Sequence, residues 1–176
     1  HHGSVGNIDR RGTGDVWTMT AEEYRMSSRK RRLIYRVFRN PLVLFAISPL
    51  VLFLVINRIP KRDEHQKETK SIMMTNLCIL AIIILVSTTI GIKYYLLIQL
   101  PIVLIASTFG VWLFYVQHQF EDVYWARKDG WDIYRAAMEG SSFYKLPRPV
   151  MWLTGNIGYH HIHHLNPGIP FYYLKR

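Results

Sequence analysis

Two uninterrupted apolar runs, Ile72–Ile92 and Tyr95–Val116, constrain this chain more than any other feature. They hold 21 and 22 residues, and none of these is charged. As α-helices they would be ~31 and ~33 Å long, enough for the ~30 Å hydrocarbon layer of a bilayer. A segment in that layer must satisfy its own backbone polar groups, so each run is expected to be a transmembrane helix. Only Lys93 and Tyr94 lie between them, which predicts a helical hairpin turning at those two residues. Pro101 is expected to kink its second arm.

A third apolar run, Leu42–Ile56, has 15 residues with Pro49 in its middle, and ~22 Å of helix does not cross the layer. Basic residues flank it on both sides: Arg29, Lys30, Arg31, Arg32, Arg36 and Arg39 before it, and Arg58, Lys61, Arg62, Lys67 and Lys70 after it. Since lysine and arginine mark the cytoplasmic side, residues 41–57 are expected to be a re-entrant or interfacial helix with both ends inside. The hairpin 72–116 then leaves and returns, which puts His118 and the rest of 117–176 in the cytoplasm. The expected fold is all-α: a multi-pass membrane helical protein with a cytoplasmic segment 1–40 and a cytoplasmic cap 117–176. Within these, Thr20-Ala21-Glu22-Glu23 is a capping box opening a helix that runs to about Arg39. Trp131–Glu139 is expected to be an amphipathic helix, and Trp125, Trp131 and Trp152 suit a domain resting on headgroups. The chain starts at His1 and not at Met, so it reads as a piece of a longer protein.

Composition removes several classes. With one cysteine, Cys78, neither a disulfide scaffold nor a thiolate zinc site is available. An apolar content of 49% excludes disorder. The net charge of +10 needs no nucleic acid, because a membrane anchor accounts for it. The same charges suit anionic headgroups or steer an acidic protein partner.

The histidines carry the chemistry. His160-His161-Ile162-His163-His164 places His160, His163 and His164 on one helical face, with His161 rotated about 100° away. Three neutral imidazoles on one face can hold iron, copper or zinc if other groups orient their second nitrogens. Asn156, Glu121 and Asp132 are candidates for that orienting role. The cluster is internal and is followed by Leu-Asn-Pro-Gly-Ile-Pro, unlike a purification tag. His1-His2-Gly3-Ser4 does have the form of a tag remnant. His118 stands two residues past the last apolar run, on the same side as the cluster, where it fits either an interfacial or a ligand role. His65 belongs to a charged loop.

These residues resemble the C-terminal half of an integral-membrane fatty acid desaturase of the acyl-lipid, Δ12/ω-6-like bacterial branch. That family has three histidine boxes, HxxxxH, HxxHH and HxxHH. His160-x-x-His163-His164 with the following Leu-Asn-Pro-x-Ile-Pro is similar to the third box. Gln117-His118-Gln119-Phe120-Glu121, Trp131-Asp132 and Gly155-Asn156 follow the branch in order and spacing, and so does Asp9-Arg10-Arg11-Gly12-Thr13-Gly14-Asp15. On this likeness His1 and His2 close the second box and are not a tag. The resemblance implies that His1, His2, His118, His160, His163 and His164 ligate two non-haem iron ions, with the first box and one more histidine upstream. It further implies O2 as co-substrate, an acyl lipid as substrate, and an electron donor such as ferredoxin or cytochrome b5. The enzyme would sit in a bacterial inner membrane with its boxes on the cytoplasmic side, and the fragment alone would be inactive. A membrane di-iron hydroxylase of carotenoids, sterols or alkanes is the nearest alternative. A metal transporter or metal-binding membrane protein is the non-enzyme one, and it would need ligands inside spans that contain no His, Asp or Glu.

Overall fold

The computed structural model describes residues 2–11, 15–61 and 65–175. Among them the α-helices are α1 (Ala21–Met26), α2 (Arg29–Phe38), α3 (Ser48–Leu54), α4 (Gln66–Thr89), α5 (Ile92–His118), α6 (Ile133–Met138), α7 (Arg148–Leu153) and α8 (His160–Leu165). No strand occurs among the described residues, only isolated bridges between Asn7 and Ala126 and between Phe143 and Tyr159. The chain divides into two units. One joins the N-terminal segment through Met26 to everything from Leu113 onward; the other is 27–112.

In the second unit, α4 and the part of α5 through Trp112 form the long apolar helices expected from sequence. Both are long and apolar enough to cross a membrane. Leu80, Ile84, Leu85, Leu97, Ile98 and Ile105 are each more than half exposed, an apolar surface that calls for lipid and not water. The turn between the helices differs from the expectation. It falls at Ile90-Gly91, and Lys93 and Tyr94 already belong to the first turn of α5. The reason is backbone freedom: Gly91 has φ +94°, a conformation that lysine and tyrosine rarely adopt. Pro101 lies inside α5, which runs through it as one helix.

The expected helix from Thr20 to Arg39 is also two helices. It stops at Met26, and Ser28 starts α2 afresh by accepting a hydrogen bond from the Arg31 amide at 3.2 Å. Serine hydroxyls compete for backbone groups in this way, so they sit at helix ends more readily than inside. The short apolar run opens with a π-helical turn, Val43–Ile47, before α3, which carries Pro49 in its first turn. The axes of α2 and of 43–58 meet at 64°, so they do not make one straight span. Asn76 closes the unit by donating from its amide to the Arg58 carbonyl at 2.8 Å.

The first unit is organised by an unexpected docking. Residues 5–9 lie against 124–131: the Ile8 amide donates to the Ala126 carbonyl and the Ala126 amide to the Gly6 carbonyl, each at 2.9 Å. The Trp131 indole donates to the Val5 carbonyl at 2.9 Å, and Arg127 pairs with Asp9 at 3.0 Å. Val5, Tyr124 and Ala136 form the apolar core of this unit, with Ala126 and Trp131 packed on it. Gly6 is required here, since its φ is +70° and a Cβ would lie 2.8 Å from the Tyr124 carbonyl oxygen.

The capping box at α1 forms as its residues dictate. The Glu23 amide donates to the Thr20 hydroxyl at 3.1 Å, and the Thr20 amide donates back to the Glu23 carboxylate at 2.8 Å. Arg11 grips the same carboxylate with both terminal nitrogens and also donates to the Ile8 and Thr18 carbonyls. The Arg11 guanidinium holds the Glu23 carboxyl down, from an ordinary 4.5 to about 2. A depressed carboxyl pKa stabilises the fold above its unfolded value and loses that contribution as pH falls towards the folded value. Stability in thermal melts is therefore expected to drop between pH 4.5 and about 2. Glu23→Gln should remove that step and, because the pair is partly solvated, cost no more than ~1 kcal/mol at neutral pH.

Candidate metal centre

Helix α8 presents its histidines at helical spacing. His160 and His164 are one turn apart and both buried, and their Nε2 atoms lie 3.1 Å from each other. His118, the last residue of α5 and also buried, brings its Nε2 to 2.8 Å from that of His160. One ring nitrogen from each of these three residues falls within 4.8 Å of the others. A second approach lies alongside. The Nε2 atoms of His2 and His163 are 2.9 Å apart, and the His2 ring is 4.9 Å from that of His164, centroid to centroid. Docking of residues 5–9 on 124–131 is what carries His2 to α8. His1 lies outside the described residues, as do Gly12, Thr13 and Gly14.

The donor set is chemically apt for a metal ion. His118 Nδ1 donates to the Gly140 carbonyl at 3.3 Å, which puts the proton on Nδ1 and leaves the Nε2 lone pair aimed at the cluster. Nδ1 of His160 is buried with no hydrogen-bond partner. Burial pushes the His160 imidazole down to about 3 and that of His164 to about 2; neighbouring imidazoles add to both shifts. Burial also lowers His163, and burial and then His163 lower His2. All four are thus held neutral at physiological pH, the form that binds metals. Two nitrogens bound at ~2.1 Å to one ion and at right angles to each other are ~3 Å apart. The spacings of 2.8 and 3.1 Å match that value. The residues present fit an imidazole-bound metal.

The remaining sequence candidates stand elsewhere. His161 faces Phe143, with ring centroids 6.1 Å apart. The Asp132 carboxylate caps α6 by accepting from the Arg135 amide at 2.8 Å. The Asn156 amide donates to the Phe171 carbonyl at 3.1 Å, within a turn where both Gly155 and Asn156 have positive φ. Glu121 is exposed. None of these three orients an imidazole here: backbone groups claim Asp132 and Asn156, and Glu121 is exposed. The orienting group that sequence reasoning missed is the Gly140 carbonyl, which leaves no signature in side-chain identity. Asp15 is the carboxylate that lines a small cleft with His118, Phe114, Gln119 and Tyr124.

Gly140 also has no room for a side chain: a Cβ there would collide with the Ala136 carbonyl. That neighbour is backbone and cannot swing away. Gly140→Ala is therefore expected to shift the carbonyl off His118 and to weaken metal retention by the ~10–100-fold typical of losing an outer hydrogen-bond partner. Competition of the full chain with a graded series of chelators measures it.

A family model described as fatty acid desaturase matches residues 1–176. A fatty acid desaturase of Bacillus subtilis (strain 168) is 49% identical over 175 residues, covering 99% of this chain and 50% of that relative. The chain spans about half the length of the curated relative it matches. No solved structure matches it.

Proposed function

The chain belongs to the fatty acid desaturase family, and we propose that its imidazole cluster is part of a di-iron centre that desaturates the acyl chain of a membrane lipid. The observation that carries this reading is the convergence of buried His118, His160 and His164 nitrogens. In this reading these three hold one iron. His2 and His163 face the second, and the family resemblance adds His1 and histidines of an upstream box as further ligands.

When bound, the iron pair supplies the oxidising power to convert an unactivated CH2–CH2 pair, O2, two electrons and two protons into a cis double bond and two waters. The two electrons come from an external carrier such as ferredoxin or cytochrome b5. The work of this chain is positional. The Gly140 carbonyl fixes the His118 tautomer, and burial keeps the imidazoles uncharged at working pH. The Phe114 ring packs against His118 at 4.7 Å between centroids and shields it from solvent.

The membrane assignment follows the charge pattern. We place α4 and α5 across a bacterial inner membrane, with the histidines on the cytoplasmic side. The segment 41–57 dips into the near leaflet or lies along it. The basic, partly apolar α2 supports contact with that surface, since Leu33, Ile34 and Val37 are exposed beside Arg29, Lys30 and Arg36. Arginines of that region also suit the docking of an acidic electron carrier.

Lipid analysis of a desaturase-deficient host expressing this sequence together with the upstream histidine boxes its family carries tests the proposal. A new double bond in membrane acyl chains is expected. His163→Ala should abolish it and empty the iron site, whereas His161→Ala should keep at least roughly half of the product, since a change away from the ligands has small effects. An alcohol in place of an alkene would move the assignment to a hydroxylase. Undiminished unsaturation in His163→Ala would contradict it altogether.

A further inference from the structure

Gln117 is absent from the ligand set, yet its side chain is fully buried. An amide is seldom taken out of water without a partner that requires it. Its Nε2 donates to the carbonyl of Ile157 at 2.8 Å. Ile157 lies in the turn before α8, three residues ahead of His160. The Gln117 main-chain carbonyl accepts from the Ser142 amide at 3.0 Å, and the Val116 carbonyl accepts from the Ser142 hydroxyl at 3.4 Å. Carbonyls in the last turn of a helix have no partner within it, so these bonds complete α5. One residue on, His118 bonds Gly140. The end of α5 is thereby pinned on two sides, by 140–142 and by the approach to α8.

We propose that Gln117 is a positioning residue for the metal centre: its amide, by holding Ile157, sets the separation between the imidazole of α5 and the imidazoles of α8. The proposal rests on reading the imidazoles as a metal site. A methionine would occupy similar space and make equivalent apolar contacts, so volume alone does not explain an amide here. Only a donor of this reach ties Ile157 to the residue beside His118. The side chain touches none of the ligating nitrogens and acts through the backbone that carries them.

The test uses Co(II) alone as probe, with the full chain in detergent micelles. Gln117→Met is expected to bind Co(II) ~10–100-fold more weakly and with a shifted visible ligand-field spectrum, while the metal-free protein melts within a few degrees of wild type. Wild-type affinity and an unchanged spectrum would overturn the proposal. So would a lowered melting temperature with an unchanged spectrum in the folded fraction, which is the mark of a merely structural role. Should Gln117→Met not accumulate, Gln117→Asn keeps the donor but withdraws it by one methylene, and its spectrum decides in the same way. Failure of the wild-type chain to bind Co(II) at all would strike at the metal-site reading, and is thereby distinguishable from failure of the Gln117 argument.

Discussion

Crowding imidazole nitrogens together away from water is the interaction on which the rest of this structure turns. Each ring has a lone pair or a proton to place, and burial denies it the charged form. His118, His160 and His164 meet at nitrogen spacings that a shared cation satisfies and that bare lone pairs would resist. One proton relieves one contact, whereas one cation relieves all of them. The surroundings are arranged accordingly: a backbone carbonyl for His118 Nδ1, an aromatic ring against it, and a second pair of imidazoles beside it.

Assembling that cluster needs parts of the chain far apart in sequence. α8 turns three of its four histidines toward the cluster within six residues, which is compact in chain length but gives only one face. His118 arrives at the end of α5, and His2 arrives because residues 5–9 pair with 124–131. Trp131 and Tyr124 anchor the pairing with an indole, a hydroxyl and an apolar surface at once. Arg11 then ties the Thr18 carbonyl to the α1 capping box. None of these anchoring residues bears a ligating nitrogen, yet each constrains where one can be.

Features governed by local rules were legible in the sequence. The uncharged runs predict α4 and α5, Thr20 with Glu23 predicts the cap of α1, and the spacing of His160 and His164 predicts a shared face. Two local signals were overlooked: Ser27-Ser28 splits the expected helix, and Gly91 draws the turn ahead of Lys93-Tyr94. What local rules do not reach is the choice of backbone partners across the chain. Asp132 and Asn156 have side chains suited to orienting an imidazole, but nearer backbone groups claim them. Gly140 orients His118 through an atom every residue possesses, so its identity announces only that a Cβ would not fit. Gln117 looks unremarkable at the end of an apolar run until its amide is traced to Ile157.

The most direct measurement is X-ray absorption at the iron edge of the iron-loaded full chain, paired with the same spectrum of His118→Ala. Imidazole multiple scattering from nitrogens at ~2.1 Å is expected in the wild type, with one imidazole fewer in the variant. A spectrum dominated by oxygen ligands, or one that His118→Ala leaves unaltered, would contradict the convergence of these imidazoles on a metal.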